Sequence, residues 1–247
     1  MLKCEVPMNT AQFLLTRFNP AVSYGSEDLG INPEWLDHRF ELFEKICLPS
    51  VASQSEKNYQ WLLLVSDRTP PKFVKRLMAD LAFVSSPTAI LLVTEYSEHF
   101  FAAAIANRLG RAVNRVVSTR LDNDDAIARD YLAHVRDEAG RLPGNGDFVI
   151  NFRQGCQVAR DGIFPRDAPL NPFLSVVSSP AKLRTAFATH HGRMNSVGKV
   201  IDKHGGNANW IQVIHPRNVL NRLHERKPCS EAYLANFSLA PNWHSCL

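Results

Sequence analysis

The sequence predicts an α/β fold: a mostly parallel central sheet with helices on both faces, within one domain. Three observations predict it. A short apolar run followed by a loop and a stretch of helical spacing recurs four times before residue 145, the alternation that builds parallel sheets. Runs such as Trp61-Leu62-Leu63-Leu64-Val65 lack polar alternation, so both faces of those strands are expected to be covered. The third observation is Asp122-Asn123-Asp124-Asp125, which closes the apolar run 115–121 where a strand hands over to a helix. Open α/β folds place their ligands at that carboxyl edge.

Taken in order, residues 1–10 read as a short leader. Gln12 to Phe18 reads as the first strand, ending in a polar loop at Asn19. Residues 20–32, with Pro20, Gly25 and Gly30, form a loop long enough to carry function. Asn32 caps a helix that opens at Pro33, and Trp35, Leu36, Phe40, Phe43, Ile46 and Cys47 give it an apolar stripe up to Pro49. Strands follow at 59–66 and 89–94, each with a helix after it, the second over roughly 97–109. The fourth strand is 115–121, and a helix is expected to begin at Ala126. Beyond residue 145 the pattern loosens. Short strands are expected at 147–152, 156–159, 175–178 and 209–215, a Pro-rich loop at 162–173, and a helix after Pro180 on which Leu183, Ala186 and Phe187 share a face.

Composition narrows the function classes. The 247 residues carry a net charge of +4 and a pI near 8.9, with no dense Lys/Arg block of the kind that marks a nucleic-acid or polybasic membrane surface. The five cysteines, Cys4, Cys47, Cys156, Cys229 and Cys246, are scattered and odd in number, which argues against a disulfide framework and against a zinc ribbon. There is no signal-peptide pattern and no apolar run long enough to span a bilayer. A reduced, cytoplasmic protein is expected, with peripheral association at the inner face of a membrane left open.

The acidic turn carries the chemistry. In an extended segment residues two apart point the same way, so Asp122 and Asp124 are expected to converge while Asn123 faces away. Two carboxylates at one point call for a cation, and an oxygen set of this kind suits Mg²⁺ or Mn²⁺ shared with substrate phosphates. An aspartyl-nucleophile phosphatase would carry these acids after its first strand, where this chain has Thr16-Arg17-Phe18-Asn19. A nucleotidyltransferase would carry a tighter Gly-rich loop than Gly25 and Gly30 provide.

Four stretches together resemble a known family: Phe13-Leu14-Leu15-Thr16-Arg17-Phe18-Asn19; Trp61 to Asp67 with Thr69-Pro70; Thr119-Arg120-Leu121-Asp122-Asn123-Asp124-Asp125-Ala126; and Trp210 to His215 with Asn218. With them the chain resembles GT-A type glycosyltransferases, and within these a bacterial rhamnosyltransferase family. The resemblance implies the nucleotide-diphospho-sugar transferase fold, with a nucleotide-sugar-binding half over about 11–145 and an acceptor half over about 146–247. It implies a metal-dependent transfer of a sugar, rhamnose by the family's label, from a nucleoside-diphosphate donor to a hydroxyl of a glycan or lipid-linked saccharide. The donor would be met by Thr16, Arg17, Asn19, Asp67, Arg120, Asp122, Arg217 and Asn218, with Arg222 nearby. A divalent ion, Mn²⁺ or Mg²⁺, would be held by Asp122, Asp124 and His215. No acid stands where a catalytic base is expected after Pro172 to Val177; Asp161, Asp167, His190 and His191 are the candidates. The missing acid also keeps open a non-catalytic nucleotide-sugar binder or transferase subunit.

Overall fold

Parallel strands form first in the chain and the shorter, mixed strands later. The structure is a computed structural model that describes residues 9–20, 29–144, 146–218, 221–224 and 227–247. Residues 1–8 of the expected leader, with Cys4, and 21–28 of the first loop, with Gly25, lie outside the described residues. The strands are β1 (Thr10–Arg17), β2 (Gln60–Ser66), β3 (Thr88–Val93), β4 (Arg115–Arg120), β5 (Ala126–Ile127), β6 (Phe148–Phe152), β7 (Gln154–Ala159), β8 (Gly162–Asp167), β9 (Ser175–Ser178), β10 (Lys199–Lys203) and β11 (Trp210–Val213). The helices are α1 (Pro33–Leu42), α2 (Leu48–Ala52), α3 (Pro71–Leu81), α4 (His99–Ala106) and α5 (Tyr131–Arg141).

Seven strands make the main sheet in the order β10-β6-β9-β4-β1-β2-β3, and four make a second sheet in the order β5-β11-β7-β8. β1 to β4 run parallel, as the sequence pattern predicts, and β9 is antiparallel to both its neighbours. The period of two decides the packing. Phe13 and Leu15 face α4, where Phe101 and Ile105 cover them. Leu14 faces the opposite way with Trp61 and Leu63, under α1, α3 and α5. Each such buried Leu or Phe contributes roughly 1.5–3 kcal/mol, so helices on both faces follow from strands apolar on both faces. Trp210 of β11 joins the same cluster as Leu14 and ties the second sheet to the first.

The helix at Pro33 starts as expected: Asn32 Oδ1 accepts the N–H groups of Glu34 and Trp35. It does not stop at Pro49. Residues Phe43–Cys47 widen into a π-turn, and the chain continues helically through α2. The wider turn accommodates a proline that has no N–H to donate to the preceding turn.

Other departures have equally local causes. Ala126 does not open a helix; Ala126 and Ile127 pair with Ile211 and Trp210 of β11, and the helix begins at Tyr131. Cross-sheet pairing of fully buried residues overrides the helical spacing. The Pro-rich loop contains β8, which forms a hairpin with β7. Pro165 is tolerated because β8 is an edge strand, and Gly162 supplies the positive φ of 143° in the turn. β10 was not anticipated; it is a short, Lys-bounded strand at the other sheet's edge. After Pro180 there is a single 3₁₀ turn, Pro180–Lys182, because the chain turns inward: Ala186 N–H donates to Ser118 Oγ of β4 at 3.0 Å, and Phe187 is buried. Among the described residues no helix is long and apolar enough to cross a membrane.

Candidate active site

From β1 the sheet grows to β2 and β3 on one side, while β4 lies on β1's other side. The β1/β4 boundary is therefore a topological switch point, where connections diverge and leave a crevice. Arg17 ends β1 and Arg120 ends β4. Both open onto a cavity of about 700 Å³ that is also lined by Arg39, Asp122, Asp124 and His191.

Asp122 lies between the two strand-end arginines. Its Oδ2 accepts from Arg120 Nη2 at 2.8 Å, and its Oδ1 stands 3.5 Å from Arg17 Nη2. The ring of Phe187 lies 5.0 Å from the Arg17 guanidinium and 4.8 Å from that of Arg120, a stacking that suits planar cations. Tyr96 lies 5.4 Å from Arg17. Asp124 is deeper. Its Oδ2 accepts from Arg39 Nη1 at 2.5 Å, meets His215 Nε2 at 3.2 Å, and has Asn218 Nδ2 at 3.5 Å. Arg39 reaches it from α1 and stacks on Trp35 one turn earlier.

The acids differ in charge. Burial disfavours ionisation of Asp122, but Arg120 and Arg17 outweigh it and hold its pKa below the usual carboxylate range. Burial also opposes the charge on Asp124, and Arg39 with His215 overcomes it more strongly. Asp125 goes the other way: burial, then the charges of Asp124 and Asp122, push its pKa well up. Its Oδ1 accepts the Val213 N–H at 2.8 Å, which makes Asp125 a fastener between the acidic turn and β11.

The turn is not extended as expected. Asp125 N–H closes back on Asp122 O at 3.2 Å, and Asn123 does not face away; it is buried, with Nδ2 donating to Phe18 O at 3.0 Å. Asp122 and Asp124 still both line the cavity.

The residues present do not fit a resident divalent ion in this arrangement. Among the described residues no three His, Cys, Asp or Glu side chains are grouped to hold a metal. The side chain of His215 has no exposed surface. Its Nδ1 accepts the Arg217 N–H at 3.2 Å, and its Nε2 lies 3.2 Å from Asp124 Oδ2 and 3.0 Å from Asn218 Nδ2, so both ring nitrogens are engaged within the protein. Each carboxylate already faces a guanidinium. An added cation at 4 Å from one of these would meet repulsion of about 4 kcal/mol per pair of unit charges at an effective dielectric of 20.

What lines the cavity instead is a set of guanidiniums, those of Arg17, Arg39 and Arg120. The Nε atoms of Arg17, Arg39 and Arg120 are buried and meet no acceptor. Each unsatisfied buried donor costs about 1–3 kcal/mol, and more when charged. Each of these guanidiniums spends only one terminal nitrogen on the acids. The cluster is an arginine cage with two ionised carboxylates setting its geometry.

The other expected donor residues divide. Thr16 is fully buried and its Oγ1 accepts from Trp61 Nε1 at 2.9 Å, a packing role. Asn19 lines the cavity but spends its amide on Gly30 O and Thr69 Oγ1, both at 2.8 Å. Asp67 is exposed, outside the cavity, and accepts from Thr94 Oγ1 at 3.1 Å. Arg217 lies outside as well, with Nη1 donating to Glu34 O at 3.2 Å. Asn218 and Arg222 do line the cavity.

Of the base candidates, Asp161 is exposed in the β7–β8 turn, and Asp167 pairs with Arg153 at 2.6 Å; neither lines the cavity. His190 and His191 both do, with ring centroids 4.1 Å apart. His190 Nδ1 accepts the Gly192 N–H at 3.2 Å. His191 Nδ1 is buried without a partner. Burial, then the charge of Arg120, pushes the His191 pKa down to about 4, so its ring is neutral at pH 7.

Arg39, Phe187 and Tyr96 were not anticipated. Arg39 had a signal, as a cation one turn after Trp35 beside an apolar helical stripe. Phe187 and Tyr96 had none, because long-range folding alone brings them to Arg17.

Residues 28–227 match the family described as "Putative rhamnosyl transferase". The chain belongs to this family. Membership makes the chain a glycosyltransferase. No curated protein matches the chain. Solved structures similar to it include mouse xyloside xylosyltransferase 1 in its apo form, at 10% identity, TM-score 0.34, and 76% of this chain over 69% of that one. A 4-diphosphocytidyl-2C-methyl-D-erythritol synthase from Anaerococcus prevotii is similar at 8% identity, TM-score 0.44, and 81% over 89%. An inositol-1-phosphate CTP transferase from T. maritima is similar at 11% identity, TM-score 0.39, and 92% over 95%.

Proposed function

We propose that this glycosyltransferase binds a nucleoside-diphosphate sugar with its diphosphate in the Arg17/Arg39/Arg120 cage and transfers the sugar, rhamnose by the family's description, to a hydroxyl of a glycan or lipid-linked saccharide. The observation that carries the proposal is the cage itself: three guanidiniums lining one cavity at the β1/β4 switch point. Guanidinium donors match the fork geometry of phosphate oxygens.

The reaction is a displacement at the anomeric carbon. The acceptor oxygen forms the new C–O bond as the bond from the anomeric carbon to the diphosphate oxygen breaks. The charge growing on the diphosphate falls among guanidiniums already oriented by Asp122 and Asp124, which is electrostatic preorganisation. The acceptor proton goes to His191, whose neutral ring lines the same cavity. Its low pKa keeps the ring unprotonated across the neutral range, at the cost of a weaker base than one with a pKa near the working pH. Asp161 and Asp167 have no part in this proposal.

The test is a panel of nucleoside diphosphates and nucleotide sugars read by thermal shift, since a ligand that binds only the folded chain raises its melting temperature. The expected result is a shift with one base and its diphosphate, and a smaller one with the matching monophosphate. No shift across the panel refutes the donor assignment.

A further inference from the structure

We infer that this chain stabilises the leaving diphosphate by hydrogen bonds from its three cage arginines in place of a resident divalent ion. The inference rests on the proposed nucleotide-sugar donor and concerns how that donor is held.

The two acids that would have to hold an ion are already committed. Asp122 is bonded to Arg120 and faces Arg17; Asp124 is bonded to Arg39 and His215. The third expected ligand, His215, is sealed from the cavity and uses both ring nitrogens within the protein. An ion entering here would have to displace guanidiniums from carboxylates and then remain beside them.

The same geometry explains why acids are present in an anion site. Three arginines packed around one cavity repel one another. Asp122 and Asp124 offset two of the three charges, fix the planes of the guanidiniums and leave one net positive charge. Phe187 stacks beneath Arg17 and Arg120, and Trp35 beneath Arg39, so the forks are held before the ligand arrives. Holding donors ready in this way reduces the ordering that binding requires. The acids thus act as positioning residues for arginines.

The experiment is calorimetric titration of the full chain with uridine, deoxythymidine, guanosine and cytidine diphosphates, in EDTA and again in saturating Mn²⁺. Wild type, Arg39→Gln and Asp124→Asn are compared. A parallel titration follows the free Mn²⁺ signal by electron paramagnetic resonance, with protein and no nucleotide. For the base that binds, the expected result is a Kd that changes by less than about tenfold between the two buffers, an Mn²⁺ signal undiminished by protein, and Arg39→Gln weakening binding equally in both. Binding that is tenfold or more tighter in Mn²⁺, with quenching of the Mn²⁺ signal that Asp124→Asn abolishes, overturns the inference and leaves the donor assignment intact. Absence of binding in both buffers overturns the donor assignment, and the inference with it. Melting curves of each variant separate a lost ligand contact from a lost fold.

Discussion

The two walls of the cavity are built for different charges. On the β1/β4 wall charged groups hold one another: Asp122 accepts from Arg120 and stands 3.5 Å from Arg17, with both guanidiniums over Phe187. On the wall formed after β9, His191 is held neutral, and the second sheet adds Gln212, whose Oε1 accepts from Gln157 and Arg166 at 2.8 and 2.9 Å. A preformed cage suits a ligand whose charge grows during reaction. A neutral imidazole suits a hydroxyl that must lose a proton. The difference teaches that one cavity can serve both demands when the cationic wall itself suppresses protonation of the other, since Arg120 is among the causes of the low His191 pKa.

That division is broken most directly at His191. His191→Gln is expected to lower kcat by about 10²–10⁴-fold, the usual range for a lost general base, with little change in donor affinity. His190→Gln, whose Nδ1 is already used on Gly192, is expected to change kcat far less. Equal losses from the two would remove His191 from the role. The pH profile sharpens the same point. His191 must be neutral to accept a proton, so activity is expected to fall as pH drops through about 4, the pKa of the folded enzyme. Arg120→Ala removes a cation that disfavours protonation, so the acid limb of kcat/KM is expected to move up toward the ordinary histidine range near 6.5.

The cationic wall is tested next. Arg17→Ala and Arg120→Ala are each expected to weaken nucleoside diphosphate binding by about 10- to 100-fold, the range of a hydrogen bond to a charged group. The double variant should lose less than the product of the two, because both arginines share Asp122 and Phe187 and neighbouring changes do not add. A fully multiplicative loss, measured by titration calorimetry, would show the two acting separately.

The same contrast governs what could be read from the sequence. The β1/β4 wall was legible because parallel strands buried on both faces leave long apolar runs, and because Arg120 and Asp122 sit at the end of one. The fold of the first half followed for the same reason. The second sheet was not legible. β5 carries helical spacing but is claimed by β11, and β8 contains Pro165, acceptable because β8 is an edge strand whose outer side carries only the isolated bridge from Ile163 to Cys229 among the described residues. Arg39 is separated from Asp124 by most of the first half of the chain, and only the packing of α1 brings them to 2.5 Å. The expected metal set was read from residue spacing alone, whereas the turn at Asp122–Asp125 hands Asp122 and Asp124 to different arginines.

A change in the second sheet should leave the chemistry and weaken the frame. Gly155 of β7 lies under the Trp210 ring, where an added Cβ would come within 2.1 Å of Cδ2. Trp210 cannot move easily: its Nε1 donates to Phe152 O at 2.8 Å and its ring stacks on Phe173 at 4.9 Å. Gly155→Ala is expected to destabilise by about 1–3 kcal/mol through overpacking, a fall of about 2–10 °C in Tm for a chain of this size. An unchanged Tm would mean that the second sheet is free to shift against the first.

The smallest effects are expected from the two acids outside the cavity. Asp167 is half-exposed, and its pair with Arg153 spans the outer edge of β7–β8. A surface pair of this kind contributes about 0–1 kcal/mol, so Asp167→Asn should move Tm by no more than a few degrees and leave kcat at the wild-type value. Asp161→Asn in the exposed turn should do less. A steady-state comparison of both variants with His191→Gln decides between the walls. A large kcat loss at either aspartate, with Tm retained, would move the proton acceptor out of the cavity wall after β9 and into the β7–β8 hairpin. For Asp161 that would require the hairpin tip to swing toward Arg17 and Arg120, which the β7–β8 register and the antiparallel bridge from Ile163 to Cys229 resist; for Asp167, between cavity-lining Arg166 and Ala168, it would require the side chain to leave Arg153 and turn inward.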